Sequence, residues 1–406
     1  MAPYRADAKR TMLTRTHSCA TIVGIQALSR HARFIGRRAV RERRGLVAAV
    51  RPVGRPDRPM AERPRVLIAG GSGVFGRLLA RELLRTTSVD LILAGRGLPA
   101  AVAACRELGP PNRTSAMALD LGDPESLTRA ARGCAAVACA AGPFQDLSPE
   151  LPTAAVRAGA HWVDISDHEG WVVPLLDDPT LDAAARDAGL AVIPGLSTVP
   201  ALSGALARWG RERLQGAERA RITLFIGNRN ARGAGAIASA MSSGFRRPTR
   251  VDLPFGRHLA YLGRSPDTEL LRRDLGLDAE FRVVLEWGPA GLFVSGVGLL
   301  WSRLGDRARA RVAGLLSSIS RPFGRFGSEG GCLQVELWEG ERRISVTALS
   351  GDQRLAILPC AMALQRLLEE GLRERGVIHP AEWLSPETWI ADLRKRGVRI
   401  LTAHAL

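Results

Sequence analysis

A glycine-rich turn between a predicted strand and a predicted helix is the feature that most constrains the fold of this chain. Residues 70–76 read Gly-Gly-Ser-Gly-Val-Phe-Gly. The apolar run Arg65–Ala69 precedes this turn, and residues 74–85 follow it with apolar side chains at helical spacing, as at Phe75 and Leu79. Strand, glycine turn and amphipathic helix in this order begin a βαβ unit. The sequence therefore predicts that a parallel sheet starts with this strand.

Three of these glycines, Gly71, Gly73 and Gly76, have the spacing G-x-G-x-x-G. Gly71 permits the tight turn, Gly73 lets the backbone approach a pyrophosphate, and Gly76 lets the helix lie close to the sheet. The unpaired N–H groups and the dipole at the N-terminus of the helix favour bound phosphates. With a strand before it and a helix after it, the motif predicts dinucleotide binding. A glycine-rich turn without a ligand is the alternative.

The end of the second predicted strand indicates which dinucleotide is bound. A site that prefers NAD(H) places Asp or Glu there, because the carboxylate accepts a hydrogen bond from the ribose 2′-hydroxyl. Here residues 93–96 read Leu-Ala-Gly-Arg, with no acidic residue. Arg96 can form charge-assisted, bidentate hydrogen bonds with a 2′-phosphate. We therefore predict NADP(H) in preference to NAD(H); a solvated arginine in an Arg-rich chain is the alternative.

The ends of the third and fourth predicted strands complete the candidate cofactor site. Asp120 and Leu121 have the usual place of contacts to the adenine, and Ala141, Gly142 and Pro143 follow the strand that ends near the nicotinamide ribose. Taken alone, ordinary turn chemistry explains these residues nearly as well. The predicted cofactor-binding residues are Gly70, Gly71, Ser72, Gly73, Val74, Phe75, Gly76, Arg96, Asp120, Leu121, Ala141, Gly142 and Pro143.

Short apolar runs alternate with helical stretches up to about residue 200, which is typical of a parallel sheet covered by helices. The predicted strands there are Arg65–Ala69 and residues 89–94, 115–119, 135–140, 162–165 and 190–193. Later predicted strands cover residues 221–226, 281–286, 333–337 and 343–348, and a long helix is predicted over residues 353–375. We therefore predict an α/β fold, a Rossmann-type doubly wound parallel sheet with a second α+β domain.

The predicted domain organisation has four parts. They are a disordered basic leader over residues 1–62, an NAD(P)-binding Rossmann domain over 63–200, an α+β substrate or dimerisation domain over 201–350, and a C-terminal helical segment over 351–406 that packs back on the Rossmann domain. Three interpretations of the leader stay open: a transit-peptide-like extension, a basic arm for anionic partners, or translated upstream sequence before a start at Met60.

The net charge of +17 does not predict a nucleic-acid partner. Residues 1–62 hold 14 Lys and Arg residues against 4 Asp and Glu residues, so ten of the seventeen charges lie in the leader. Nearly all basic residues are arginine, since lysine occurs only at Lys9 and Lys395, and codon usage explains that skew. The longest apolar run, residues 289–301, is too short to span a bilayer, so no transmembrane segment is predicted.

Titratable groups cluster after the fifth predicted strand, at Asp164, Asp167, His168 and Glu169. Open α/β sheets bind ligands at this edge, so His168, together with Asp167, is the candidate catalytic group, acting as proton donor beside hydride transfer. The alternative is that both residues cap the next segment or face water. The Tyr-x-x-x-Lys pair of short-chain dehydrogenases cannot form, because neither tyrosine of the chain is followed by lysine four residues later.

The six cysteines are scattered, with no Cys-x-x-Cys pair and no neighbouring histidine to complete a zinc-ligand pattern. We therefore predict no metal site. The same pattern favours reduced thiols in a cytoplasmic protein.

Several segments together resemble saccharopine-dehydrogenase-like proteins. They are residues 65–76, 94–96, 140–144, 158–167 and 193–195 and, in the tail, residues 376–383 and 393–398. The resemblance implies NAD(P)-linked redox chemistry and a second α+β domain used in substrate binding and dimerisation, so a homodimer is one expectation. It does not imply saccharopine as the substrate, because the substrate residues of true saccharopine enzymes have no match in the divergent middle region.

The sequence thus predicts an NADP(H)-dependent oxidoreductase that acts on a small organic or lipid-linked substrate. A catalytically silent NADP-binding redox sensor or interaction module is the alternative, since no catalytic residue is decisive. A membrane-surface enzyme acting on lipids also stays open, favoured by residues 289–301 and the basic leader.

Overall fold

The computed structural model describes residues 63–230, 246–286 and 327–405, together with five positions between 305 and 315. The predicted leader over residues 1–62 and the apolar run over residues 289–301 lie outside the described residues. Among the described residues, no helix combines the length and the apolar character that crossing a bilayer requires.

A seven-stranded parallel sheet forms around the glycine turn. Its strands are β1 (Arg65–Ala69), β2 (Asp90–Gly95), β3 (Thr114–Ala118), β4 (Ala136–Cys139), β5 (His161–Asp164), β6 (Ala191–Ile193) and β13 (Gly376–Val377). They lie in the order β13-β6-β5-β4-β1-β2-β3. The six strands predicted from the sequence are confirmed to within one residue. The order reverses at β1, so a crevice opens between the carboxyl ends of β1 and β4.

Six helices connect these strands. They are α1 (Val74–Thr86), α2 (Leu98–Leu108), α3 (Pro124–Ala131), α4 (Leu151–Arg157), α5 (Glu169–Leu176) and α6 (Pro179–Asp187). The side chains of Leu79 and Leu83 on α1 are fully buried, because their spacing of four residues places both on the face that covers the sheet. Asp123 caps α3 by accepting a hydrogen bond from the N–H of Glu125. The parallel sheet with covering helices confirms the predicted fold class.

A second sheet is mixed and also has seven strands. They are β7 (Arg219–Ile226), β8 (Arg246–Leu253), β9 (Gly256–Leu262), β10 (Asp278–Leu285), β11 (Gly331–Glu339), β12 (Arg342–Ser350) and β14 (Arg399–Ala405). Their order is β14-β12-β11-β7-β10-β9-β8, and only β7 and β10 are parallel neighbours. Helices α7 (Ser203–Arg213), α8 (Asp267–Leu275) and α10 (Pro386–Lys395) pack on this sheet, whereas α9 (Leu358–Gln365) packs on α1 and β5 of the parallel sheet. The sheet agrees with the predicted α+β architecture.

Three strands of the second sheet, β8, β9 and β14, have no counterpart in the sequence-based prediction. The long helix predicted over residues 353–375 is wrong in extent. Only α9 is α-helical there, a wider turn continues it to Glu370, and Gly371 ends it with a left-handed backbone (φ +74°). The predicted segment 351–406 enters both sheets, since Gly376–Val377 pairs with β6 and Arg399–Ala405 pairs with β12. The domain bounds themselves stay a prediction.

Candidate functional site

The turn after β1 requires glycine at positions 70, 71 and 76. Gly70 has a left-handed backbone (φ +80°), and a Cβ atom at Gly70 would lie 2.8 Å from the amide nitrogen of Ala141. A Cβ at Gly71 would lie 2.8 Å from the Cα of Leu93, and one at Gly76 would overlap the carbonyl oxygen of Gly70. The turn therefore packs against β2 and the loop after β4 while α1 starts directly on top of it.

The first turn of α1 is arranged to accept an anion. Gly73 is the N-cap residue and has no side chain that could accept a hydrogen bond from the helix. The backbone N–H groups of Val74, Phe75 and Gly76 therefore have no intrahelical acceptor and no cap. The helix dipole adds a partial positive charge at the same point. This cradle of glycines and free N–H groups fits the pyrophosphate of a dinucleotide.

The corner at the end of β2 holds an arginine without a partner. Arg96 is exposed and forms no hydrogen bond or ion pair within the part of the chain that the structure describes. A Cβ at Gly95 would lie 3.6 Å from the Oγ of Ser72, so the Ser72 hydroxyl lies beside the end of this strand. The one carboxylate of β2 belongs to Asp90, the first residue of the strand, so none lies at the end of the strand beside Arg96. The corner therefore offers a free cation and a hydroxyl.

The ends of β3 and β4 lie along the same edge of the sheet. Asp120 is exposed, and its Oδ1 accepts a hydrogen bond of 3.0 Å from the N–H of Gly122. Leu121 is half-buried. After β4, Gly142 is exposed and forms a cis peptide bond with Pro143. Because the strands are parallel, all predicted cofactor-binding residues come together at one edge.

Asp164, which the sequence places in the titratable cluster, is a structural residue. Its side chain is completely buried at the end of β5. The Oδ1 accepts from the N–H groups of Ser166 and Gly195, each at 2.9 Å. The Oδ2 accepts from the indole N–H groups of Trp162 at 2.9 Å and Trp171 at 3.0 Å. Burial raises the pKa of the Asp164 carboxyl, and these four hydrogen bonds oppose that rise.

The four donors around Asp164 fit a carboxylate, because a protonated oxygen would have to direct its O–H at an N–H group. No Lys, Arg or His among the described residues forms an ion pair with it. The carboxylate joins the end of β5, the turn at Gly195 after β6, and α5 through Trp171. Trp171 also packs against Phe144 of the loop after β4, with ring centroids 5.6 Å apart. Asp164 therefore fixes the loop that carries Asp167 and His168.

Asp167 and His168 lie on this loop, at the entrance to α5. The Asp167 side chain is exposed to solvent, yet enough protein surrounds it that loss of hydration raises the pKa of its carboxyl. His168 is half-buried at the N-cap position of α5, and its side chain does not cap the helix. Its Nδ1 is buried and has no hydrogen-bond partner among the described residues.

The second sheet contributes a cation near the loop that carries Asp167 and His168. Glu169 at the start of α5 lies 3.7 Å from Arg264, which follows β9, and the Arg264 side chain is largely exposed. At the other end of α5, Asp177 forms an ion pair of 2.7 Å with Arg273 on α8. The sequence does not indicate the roles of Trp171, Gly195 and Arg264, because each acts through a residue distant in the chain. In the sequence, Trp162 two residues before Asp164 is the one local indication of the hydrogen bonds around Asp164.

One group of possible metal ligands lies elsewhere, between α7, α8 and the segment after β13. It consists of Asp274, His379 and Glu382. The Nδ1 of His379 accepts a hydrogen bond from the N–H of Ala381, so the proton of the neutral ring is on Nε2, which faces Asp274 at 3.1 Å. Arg208 contacts both carboxylates. The Arg208 guanidinium already supplies the positive charge beside the two carboxylates. In the neutral His379 ring the Nδ1 lone pair accepts the N–H of Ala381 and Nε2 carries the proton, so neither nitrogen has a lone pair left for a metal ion.

Comparisons with known proteins agree with the geometry of the parallel sheet. Residues 66–193 match the family model described as "Saccharopine dehydrogenase NADP binding domain". This match covers less than half of the chain, and it includes β1 to β6. The resemblance inferred from the sequence is therefore confirmed for this domain.

Two solved structures extend the comparison beyond this domain. Apo saccharopine dehydrogenase (L-Glu forming) from Saccharomyces cerevisiae is 13% identical, with 84% of this chain and 100% of that chain covered and a TM-score of 0.59. At this identity the likeness shows a common fold. GenD2 from gentamicin A biosynthesis, in complex with NAD, is 13% identical, with 85% and 98% covered and a TM-score of 0.42. That likeness is too low to add to the assignment.

Proposed function

Because residues 66–193 belong to the saccharopine dehydrogenase NADP-binding domain family, we propose that this chain is an NADP(H)-dependent oxidoreductase that acts on a small organic or lipid-linked substrate. The observation that carries the proposal is the anion cradle at the start of α1, with Arg96 at the end of β2, which has no partner among the described residues. We also propose that the enzyme is cytoplasmic, since the spacing of its cysteines is that of reduced thiols.

The residues of the cradle would each hold one part of the cofactor. The first-turn N–H groups of α1 would donate to the pyrophosphate, and glycine at position 73 would let the backbone approach it. Arg96 would pair with the 2′-phosphate, and the Ser72 hydroxyl beside it would donate a further hydrogen bond. The absence of a carboxylate at the end of β2 removes the group that would repel that phosphate.

His168 and Asp167 are proposed to handle the proton that accompanies the redox step. When bound, the nicotinamide supplies or accepts the hydride. The buried Nδ1 of His168 has no partner among the described residues, which favours a role toward a bound molecule over a purely structural one. Asp167 on the same loop would orient the substrate or share the proton. This orphan nitrogen favours an enzyme over a silent NADP-binding sensor.

Thermal unfolding of the chain with NADPH, with NADH and with neither tests the cofactor assignment. A ligand at a hundredfold excess over its Kd stabilises the folded state by about 2.7 kcal/mol, because it binds only that state. We expect a larger upward shift of Tm with NADPH than with NADH. In Arg96→Ala the NADPH shift falls to the NADH value, since a hydrogen bond to a charged group contributes about 1.5–3 kcal/mol.

Arg106→Ala is the matched control, because Arg106 is an exposed arginine on the last turn of α2, away from the cradle. It removes the same charge and should leave both shifts unchanged. Equal shifts with NADPH and NADH in the unaltered chain would refute the NADP(H) preference. The absence of any shift with either nucleotide would refute the enzyme proposal as a whole. Unchanged turnover in His168→Gln would remove His168 from the catalytic role, and binding of NADPH without turnover of any substrate tested would favour the sensor.

A further inference from the structure

Two hydroxyl groups on the loop after β6 are buried and have no hydrogen-bond partner among the described residues. Ser197 is 7% exposed and Thr198 is 5% exposed. Neither side chain forms a hydrogen bond, and Ser197 does not cap the helical segment that follows it. The small exposed fraction of each residue includes its hydroxyl oxygen. Because buried polar groups in folded proteins are nearly always paired, two adjacent exceptions need a partner outside the described residues.

The loop that carries these hydroxyls is held at the edge of the parallel sheet by Asp164. The Asp164 carboxylate accepts from the N–H of Gly195 at 2.9 Å, and its backbone carbonyl accepts from the N–H of Leu196 at 2.7 Å. Gly195 has a left-handed backbone (φ +75°), which turns the chain there. The same carboxylate accepts from the N–H of Ser166 on the loop after β5. One residue therefore fixes the loops after β5 and β6 side by side.

The strand order places this loop on the nicotinamide side of the cofactor cradle. Strand β6 lies next to β5, and β5 lies next to β4. Neighbouring strands are about 4.8 Å apart, so the end of β6 is about 10 Å from the end of β4. The loop after β4 is the expected place of the nicotinamide ribose, and the adenine belongs on the opposite side, toward β2 and β3. The nicotinamide ring would therefore extend from β4 toward β5 and β6.

We propose that the loop after β6 binds the carboxamide of the nicotinamide ring through the free hydroxyls of Ser197 and Thr198, an inference that rests on the proposed function. A carboxamide has a carbonyl oxygen that accepts a hydrogen bond and an NH₂ group that donates one. A hydroxyl can donate to the first and accept from the second. Holding the carboxamide would fix the rotation of the ring, and with it the ring face that is turned toward a substrate.

The composition of the loop favours a neutral amide over a charged group of a substrate. Residues 194–200 read Pro-Gly-Leu-Ser-Thr-Val-Pro, with no charged side chain. A charged ligand group in a buried place needs an ionised partner, because an unpaired buried charge is costly. The hydroxyls therefore suit the uncharged carboxamide. The titratable side chains of Asp167 and His168, on the neighbouring loop, stay available to the substrate.

Calorimetric titration of the full chain with NADPH and with 2′,5′-ADP tests the proposal, because 2′,5′-ADP keeps the adenine and the 2′-phosphate but lacks the nicotinamide. The double variant Ser197→Ala/Thr198→Val should raise the Kd of NADPH at least about fivefold, since one hydrogen bond corresponds to about two- to tenfold in Kd. The Kd of 2′,5′-ADP should not change, which also shows that the fold is intact. Thr198→Ser keeps the hydroxyl and is the matched control, with the NADPH affinity of the unaltered chain.

A cofactor analogue tests whether the carboxamide is the group that the loop binds. In the 3-acetylpyridine analogue of NADPH, a methyl group replaces the NH₂ of the carboxamide, so the double variant should lose less affinity for this analogue than for NADPH. An unchanged Kd of NADPH in the double variant, a loss shared equally by 2′,5′-ADP, or an undiminished loss with the analogue would each overturn the inference and leave the proposed function standing. If the unaltered chain binds neither NADPH nor 2′,5′-ADP, the proposed function fails, and the inference fails with it.

Discussion

Replacing Asp164 tests whether this buried carboxylate holds the edge of the parallel sheet together. In Asp164→Ala, four buried donors lose their acceptor: the indole groups of Trp162 and Trp171 and the backbone N–H groups of Ser166 and Gly195. An orphaned buried donor costs about 1–3 kcal/mol, so the four together cost about 4–8 kcal/mol when partial relaxation is allowed for. That is a large part of the 5–15 kcal/mol that is typical of a folded protein.

Asp164→Asn is the sharper variant because it keeps the shape of the side chain. One oxygen remains as an acceptor, but the new NH₂ group faces two N–H donors, so we expect a loss of about 2–5 kcal/mol in the free energy of unfolding. The assay is urea denaturation, in which the midpoint falls while the slope is unchanged. Asp167→Asn, on the same loop but exposed, should change stability by less than about 0.5 kcal/mol. A loss below about 1 kcal/mol in Asp164→Asn would refute the structural role.

Two further predictions concern Asp267 and Gly76. Burial raises the pKa of the Asp267 carboxyl from 3.8 to about 6, although hydrogen bonds from Ser203 and Ser265 oppose this rise. Between these two pH values the folded chain keeps a proton that the unfolded chain has released. The free energy of unfolding therefore falls as the pH rises through this window. Asp267→Asn should therefore raise the free energy of unfolding above about pH 6 by up to about 3 kcal/mol and have little effect below about pH 4, as measured by urea denaturation across this range; an unchanged pH dependence would contradict the assignment. Gly76→Ala should abolish stabilisation by NADPH, because its Cβ would overlap the carbonyl of Gly70; retained NADPH binding by calorimetry would show that the cradle is not the cofactor site.

Local sequence determined the parallel sheet and the cradle. Apolar runs bounded by turns predicted β1 to β6 to within one residue, because buried parallel strands require continuous apolar residues. The G-x-G-x-x-G spacing predicted the turn for an equally local reason. A Cβ at Gly71 or Gly76 would collide with atoms of the same βαβ unit. The position of Arg96 at the end of β2 also follows from the order of residues along the chain.

Tertiary structure decided which of the titratable residues are available for chemistry. Sequence placed Asp164, Asp167, His168 and Glu169 in one cluster, and no local pattern separates them. The Asp164 carboxylate is unavailable for chemistry because it accepts hydrogen bonds from donors that include Trp171 on α5 and Gly195 after β6. Hydrogen bonds between residues far apart in the sequence have no periodic signal, so only the fold reveals them.

The edges of the mixed sheet were likewise decided only by the tertiary structure. The strand β14 has a weakly alternating pattern of apolar and polar residues, and the sequence-based prediction placed this tail with the helices of the first domain. Pairing with β12 makes it a strand, because the backbone groups of β12 need partners on that side. The sequence by itself predicted the glycine turn at which we propose that a dinucleotide binds, since that turn is built within one βαβ unit. The fold alone determined which donors enclose Asp164 and where β14 joins the mixed sheet, since both arise from contacts between segments that are distant along the chain.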